Sequence, residues 1–380
     1  MSKEVCAMHG RILTFAFIML TTSALSAGGA EQVEYLQVPD GGIQPQAVAD
    51  AHGTLHLVYY QGASKQGNLY YVTRAQGQSG WSSPIQVNSM NGSADRNEAI
   101  SRAQIAVDPD GRVHVVWFNI RPTMYWYTRK AGSDAGFETQ RNLVTRYSAG
   151  VESGASIAVD GQGGVFVAWH AGDFAHEDQR AVYMTRSNDG GQTFGREVRV
   201  NPDDSGACAC CGLKTMVGGQ GTVYVSYRAA GDKVHRNMVL LNSTDGGASF
   251  VSTTVHAWNI HACPVSTTTI AGGPGGPAVA WETQGQVYFA KLSDLGTVIG
   301  APGESSVRRK NPAMAINREG LVLLAWAEAL GYRAGGQLYW QIYSAGGAVT
   351  ESRGQLEESL PDFSIPEVVA MSDGKFVIIY

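Results

Sequence analysis

The sequence predicts an all-β chain, a β-propeller of four-stranded blades, and three observations carry that reading. One hairpin pattern recurs along nearly the whole length, a weaker hairpin lies between successive copies, and no useful stretch beyond residue 30 has a helical period. Repeats of this length that cannot bury an apolar face alone must stack, and radial stacking of four-stranded sheets gives a propeller.

The first residues stand apart. Lys3 and Arg11 flank a polar start, Ile12 to Leu20 form a short apolar core, and small residues follow from Ala24 to Ala30. This is the pattern of a secretory signal peptide over 1–27, with cleavage expected between 26 and 30. The apolar run is too short to span a membrane. Cys6 leaves with the leader, and the remaining chain, 31–380, is expected to be one exported domain, secreted or periplasmic, with four cysteines and no membrane span.

The recurring hairpin is an apolar strand, a glycine turn and a second apolar strand ending in an aromatic or polar residue. Its seven copies turn at Gly53, Gly111, Gly163, Gly221, Gly275, Gly320 and Gly374, spaced by 45 to 58 residues. Asp-Gly and Gly-Gly at such positions supply the left-handed backbone that a tight hairpin needs. Between copies lies the second hairpin, so each unit carries strands a to d. Seven a–b hairpins but six c–d hairpins can be counted. Val33 to Val38 is then a lone strand free to join the last blade and close the ring. Seven blades are preferred, with six as the alternative.

Composition bounds the function. The chain is 44% hydrophobic and 16% charged, with net charge −5 and no basic run, which argues against nucleic acid as a partner. A small-molecule or glycan ligand is the expected partner. The glycine turns put the start of strand a and the end of strand b at one mouth of the ring. That mouth collects Arg102, Arg121, His170, Asp173, Arg228, Arg236, Glu282 and Glu328, together with all four remaining cysteines: Cys208, Cys210 and Cys211 before unit four, then His261 and Cys263 before unit five. Polar residues are ordinary in loops, so the cysteines carry the placement of the site. The aromatics ending the b strands, Tyr60, Trp117, Trp169, Tyr227, Trp281 and Trp326, read as blade packing rather than sugar platforms.

Two c–d turns, Ser187-Asn-Asp-Gly-Gly-Gln-Thr-Phe194 and Ser243-Thr-Asp-Gly-Gly-Ala-Ser-Phe250, resemble the Asp box (BNR repeat) of the sialidase-like propellers. The resemblance implies structural turns at 187–194 and 243–250 on the face opposite the active site. It also implies, for an active member, an arginine triad for a substrate carboxylate, an acid/base aspartate, and a tyrosine nucleophile with its glutamate. Arg121, Arg228, Asp173 and Glu282 are the candidates for such catalysis, and Arg102, His170, Arg236 and Glu328 for ligand contact. The family's early Arg-Ile-Pro element is missing from the first unit, and Asn119-Ile-Arg-Pro122 is an approximate echo. The run Cys208-Ala-Cys-Cys211 with Trp258-x-x-x-x-Cys263-Pro is also similar to a group of bacterial Asp-box proteins whose chemistry is not established.

Three chemistries therefore compete for the mouth: an acidic-sugar or glycan ligand, bound or hydrolysed; a disulfide framework with three pairings open; and a copper or zinc site from Cys208, Cys210, Cys211, His261 and Cys263.

Overall fold

The computed structural model describes residues 32–120, 123–132, 135–146, 153–173, 175–303, 306–328 and 332–380. The leader and Arg121 lie outside these. Among the described residues the strands form seven sheets. Blades 1 to 6 occupy 43–86, 104–142, 156–199, 214–256, 268–300 and 309–360, each with four antiparallel strands in chain order. Blade 7 has three strands. Val33–Leu36 pairs in parallel with Phe376–Ile379, which pairs in turn with Glu367–Ala370. The first strand thus closes the ring on the last, as the unpaired strand count requires, and that blade stays one strand short. No helix among the described residues is long and apolar enough to cross a membrane.

The core sits between blades. Val58, Tyr60, Leu69 and Tyr71 of blade 1 pack against Ile105, Val115 and Trp117 of blade 2, and equivalent clusters fill the other seams. Strand alternation explains this, since each sheet turns one row of side chains to each neighbour. The aromatics ending the b strands are all buried, Trp169, Tyr227 and Trp281 completely, and serve these seams.

Six hairpin glycines hold positive φ where the sequence places them: Gly53, Gly111, Gly163, Gly221, Gly320 and Gly374. In blade 5 the left-handed residue is Gly276, whose N–H bonds Gly273 O at 3.0 Å, rather than Gly275. A Gly-Gly pair leaves that register open to sequence reasoning.

The Asp boxes join strands c and d on the far side from the cysteine loops. In the first, the Asp189 carboxylate accepts from Thr193 N–H (2.8 Å), Thr193 Oγ1 (2.6 Å) and Ser187 Oγ (2.7 Å). Asp245 repeats the pattern with Ser249 and Ser243. These donors hold both carboxyls well below the usual range. Each box is also tied to the preceding blade: Arg129 donates to Gly190 O at 2.6 Å, and Arg186 to Gly246 O at 2.7 Å. Gly191 is a glycine for a second reason, because a Cβ there would run into the Tyr127 hydroxyl of blade 2.

Candidate functional site

The loop carrying the first three cysteines is fixed by its backbone to four blades. Ala207 N–H reaches Glu177 O in the blade 3 loop, and Cys208 N–H bonds Arg228 O of blade 4 at 2.9 Å. Cys210 O accepts from Ile100 N–H ahead of blade 2, and Gly212 N–H bonds Ser266 O ahead of blade 5. Cys211 N–H turns back to Cys208 O at 3.2 Å, which closes the run into a tight turn with its sulfurs converging.

Cys210 is bonded to Cys263, across a sequence separation of 53 residues and a Cα–Cα distance of 6.8 Å. Cys208 and Cys211 are free thiols and fully enclosed. Cys208 Sγ is the hub: it lies 3.2 Å from Cys210 Sγ, 3.6 Å from Cys211 Sγ and 3.6 Å from Cys263 Sγ. The thiol–thiol hydrogen bond splits the pair. Cys208 is raised by donating to Cys211 and by burial, whereas Cys211 falls to about 6 because it accepts that bond, with Arg228 helping. Ala99, Ala230 and Val265 pack around the group. Val265 is a β-branched residue held at φ 49°, a strained conformation that costs about 1–3 kcal/mol.

His261 is exposed, and its ring is not among the donor atoms gathered at the sulfurs. The sulfurs of Cys208, Cys210 and Cys211, the second of them tied up in the disulfide, form the sole close group of three or more metal-type donors among the described residues.

The disulfide forms part of the wall of a mouth pocket of about 560 Å³. Asn97, Glu98, Glu177, Arg180, Lys233 and Arg333 supply its polar surface, with Ala99, Ile120, Ala175 and Val265 between them. This volume is that of an ordinary small-molecule site. Each acid on the wall already has an arginine. Glu98 pairs with Arg333 at 2.6 Å, and Glu177 takes both arms of Arg236, at 3.0 and 2.6 Å. Arg180 and Lys233 leave the wall net cationic; Lys233 Nζ has a distant partner in Asp178 at 3.9 Å, and Arg180 Nε donates to Asp173 O. A depression of about 640 Å³ on the opposite face is lined instead by Glu319, Asp373 and Lys375 at the turns of blades 6 and 7, so volume alone does not select the mouth.

The sequence-predicted residues are distributed as follows. Arg228 is a strut between blades 4 and 5: buried, it donates to Arg236 O at 2.8 Å and to Glu282 O, beneath the Trp258 ring at 5.3 Å. Glu282 is 1% exposed; Oε1 accepts Gly285 N–H at 2.8 Å and Oε2 has no hydrogen-bond partner. Burial pushes its carboxyl up, against the pull of Arg228. Arg102 lies towards the axis, paired with Glu367 at 3.0 Å beside half-buried Lys214. Glu328 is held by Arg309 at 2.9 Å and by Trp326 Nε1 at 3.0 Å, on blade 6. Asp173 is exposed and bonds His176 at 2.9 Å. His170 is fully buried, Nδ1 3.1 Å from Ser153 Oγ and Nε2 without a partner, and burial takes its pKa down to about 3.

The pocket residues Glu98, Glu177, Arg180, Lys233 and Arg333 were not among the sequence candidates. Their roles depend on pairings across blades, such as Glu177 with Arg236 over 59 positions, and no local motif marks them.

No family's sequence profile matches the chain, and no curated protein matches it. Solved structures do. A PL25 ulvan lyase superposes with TM-score 0.52 at 11% identity, covering 86% of this chain and 87% of its own. The GH93 α-L-arabinofuranosidase of Fusarium graminearum gives 0.51 at 12% identity, over 86% and 97%. The Trypanosoma rangeli sialidase gives 0.49 at 8% identity over 79% and 56%, too low to argue from. At these identities the likeness shows the fold alone. The chain is a seven-bladed propeller, a fold it shares with the ulvan lyase and the arabinofuranosidase.

Proposed function

We propose that this chain is an exported binding propeller whose mouth pocket, beside the Cys210–Cys263 bond, takes an acidic oligosaccharide. The observation that carries the reading is the charge pairing of the pocket wall. Glu98 and Glu177 are neutralised by Arg333 and Arg236, and Lys233, whose nearest carboxylate is Asp178 at 3.9 Å, remains on the wall to attract a carboxylate or sulfate. One ulvan lyase structure holds a glucuronate–sulfated rhamnose unit, and that shared fold makes such a sugar a reasonable probe.

Binding is favoured over hydrolysis by the state of the described arginines. A substrate-carboxylate triad needs guanidinium forks aimed into the pocket. Here Arg102, Arg236 and Arg309 hold protein carboxylates, and Arg228 holds backbone carbonyls.

The test is a panel of uronate-containing, sialylated and sulfated oligosaccharides, assayed for binding by calorimetry and for turnover by product analysis. Saturable binding without turnover supports the reading. Turnover that Glu282→Gln abolishes in a folded variant would overturn it in favour of a glycoside hydrolase.

A further inference from the structure

We propose that, once the Cys210–Cys263 bond is reduced, Cys208, Cys210, Cys211 and Cys263 form a four-thiolate site for one thiophilic d¹⁰ cation, Cu(I) or Zn(II). The site sits beside the mouth pocket and is independent of any sugar bound there.

Three of the four sulfurs already stand together: those of Cys208, Cys210 and Cys211 lie within 4.8 Å of one another. Metal–sulfur bonds of about 2.3 Å in a tetrahedron separate the sulfurs by about 3.8 Å. Cys208 Sγ stands 3.2, 3.6 and 3.6 Å from the other three. Small side-chain rotations therefore suffice for those pairs. The Cys210 and Cys263 Cα atoms, 6.8 Å apart, leave room for an ion between their sulfurs without moving the backbone. The backbone bonds from Cys208 to Arg228 and from Cys211 to Cys208 hold the turn in place before any ion arrives.

The surroundings suit a soft ion. Sulfur is the sole donor type gathered there, which selects Cu(I) or Zn(II) over hard cations. Ala99, Ala230 and Val265 pack against Cys208, Cys210 and Cys211. Buried Arg236 and Arg228 favour the thiolates of Cys208 and Cys211, against the opposing carboxyls of Glu177 and Glu282, so the charge of a four-thiolate complex is offset only in part. Cys263 is exposed and shares the pocket wall with Cys210, so the ion has a route in.

The chemistry balances with an external dithiol as reductant. The dithiol gives two electrons and two protons, becomes a cyclic disulfide, and leaves Cys210 and Cys263 as thiols. The cation then binds four sulfurs and displaces one proton from each. A small-molecule disulfide takes up the two electrons, and two protons from solvent, to become two thiols; the Cys210–Cys263 bond re-forms, two ligands are lost and the ion is released, so the site is gated by redox state.

The experiment uses the full chain with Cys6→Ser, reduced anaerobically by a phosphine that is then removed. It is titrated with Cu(I) and, separately, Zn(II) against chromophoric chelators. One ion per reduced chain is expected, with at least 100-fold weaker binding by the oxidised chain. Cys208→Ser/Cys211→Ser retains the stabilising disulfide when oxidised, so its fold is checked there by circular dichroism; after reduction its affinity should fall at least 100-fold. His261→Ala should bind as the parent does. Absence of stoichiometric binding after reduction, equal binding by the oxidised chain, or binding undiminished in the double variant overturns the proposal. Oligosaccharide binding by the oxidised chain is read separately, so either reading can fail while the other stands.

Discussion

Glu177 of blade 3 holds Arg236 of blade 4 through two hydrogen bonds, at 3.0 and 2.6 Å, directly behind the wall of the mouth pocket. The arginine side chain is 3% exposed and the glutamate 25%. That inequality predicts an asymmetric response. Glu177→Ala strands a buried guanidinium and should destabilise by about 3–5 kcal/mol, whereas Arg236→Met leaves a carboxylate that water can reach and should cost less than half of that. Urea denaturation of both variants checks the order; equal losses would mean the pair is not the seam that the structure shows.

Cys210 and Cys263 tie the loops that lead into blades 4 and 5. Cys263→Ala should lower stability by about 2–4 kcal/mol, because the unfolded chain regains the freedom of a loop of roughly fifty residues. The midpoint of urea denaturation under non-reducing conditions is the readout. A variant as stable as the parent would show that the bond does not form in the folded protein.

Acid should weaken the fold in a window set by two histidines. Burial takes His114 down to about 4 and His170 to about 3. Both are neutral when folded, while the unfolded chain protonates them below about 6.5. The unfolded state therefore binds more protons, and stability is intact above that pH and falls as pH drops through it towards 4. The pair should lose on the order of 2–4 kcal/mol by pH 5. The Asp-box carboxyls act only at lower pH, since they give up stability below the ordinary carboxylate range. Chemical denaturation at pH 7.5, 6 and 5 measures the slope, and a flat profile contradicts it.

The far face supplies a control on function. Asp189→Ala and Asp245→Ala each remove the acceptor that closes an Asp-box turn. Both should lower the thermal midpoint and leave oligosaccharide affinity at the mouth unchanged. A loss of affinity in a variant that remains folded would place the ligand on the wrong face.

Most of the fold is readable in the sequence because its signals are local. Alternating strands and glycine turns recur in register, and even the closure of the ring by Val33–Leu36 follows from a strand without a hairpin partner. The Gly275–Gly276 register does not, since either glycine can take the left-handed position. The cysteine loops are legible for the same reason as the blades, their place ahead of strands a. The charges of the mouth are not. Arg228 looks like a catalytic residue and Arg236 like a ligand contact in sequence, but in space they face Glu282 O and Glu177 across blade seams. Lys233 stands out only after those pairings are known.

Ligand entry at the cysteine mouth is tested by reversing one charge on its wall. Calorimetry with a glucuronate–sulfated rhamnose oligosaccharide would compare the parent chain, Lys233→Glu at the mouth and Lys375→Glu at the opposite face. At least tenfold weaker binding is expected for Lys233→Glu, and parental binding for Lys375→Glu. Unchanged affinity in Lys233→Glu, or a loss confined to Lys375→Glu, would contradict it.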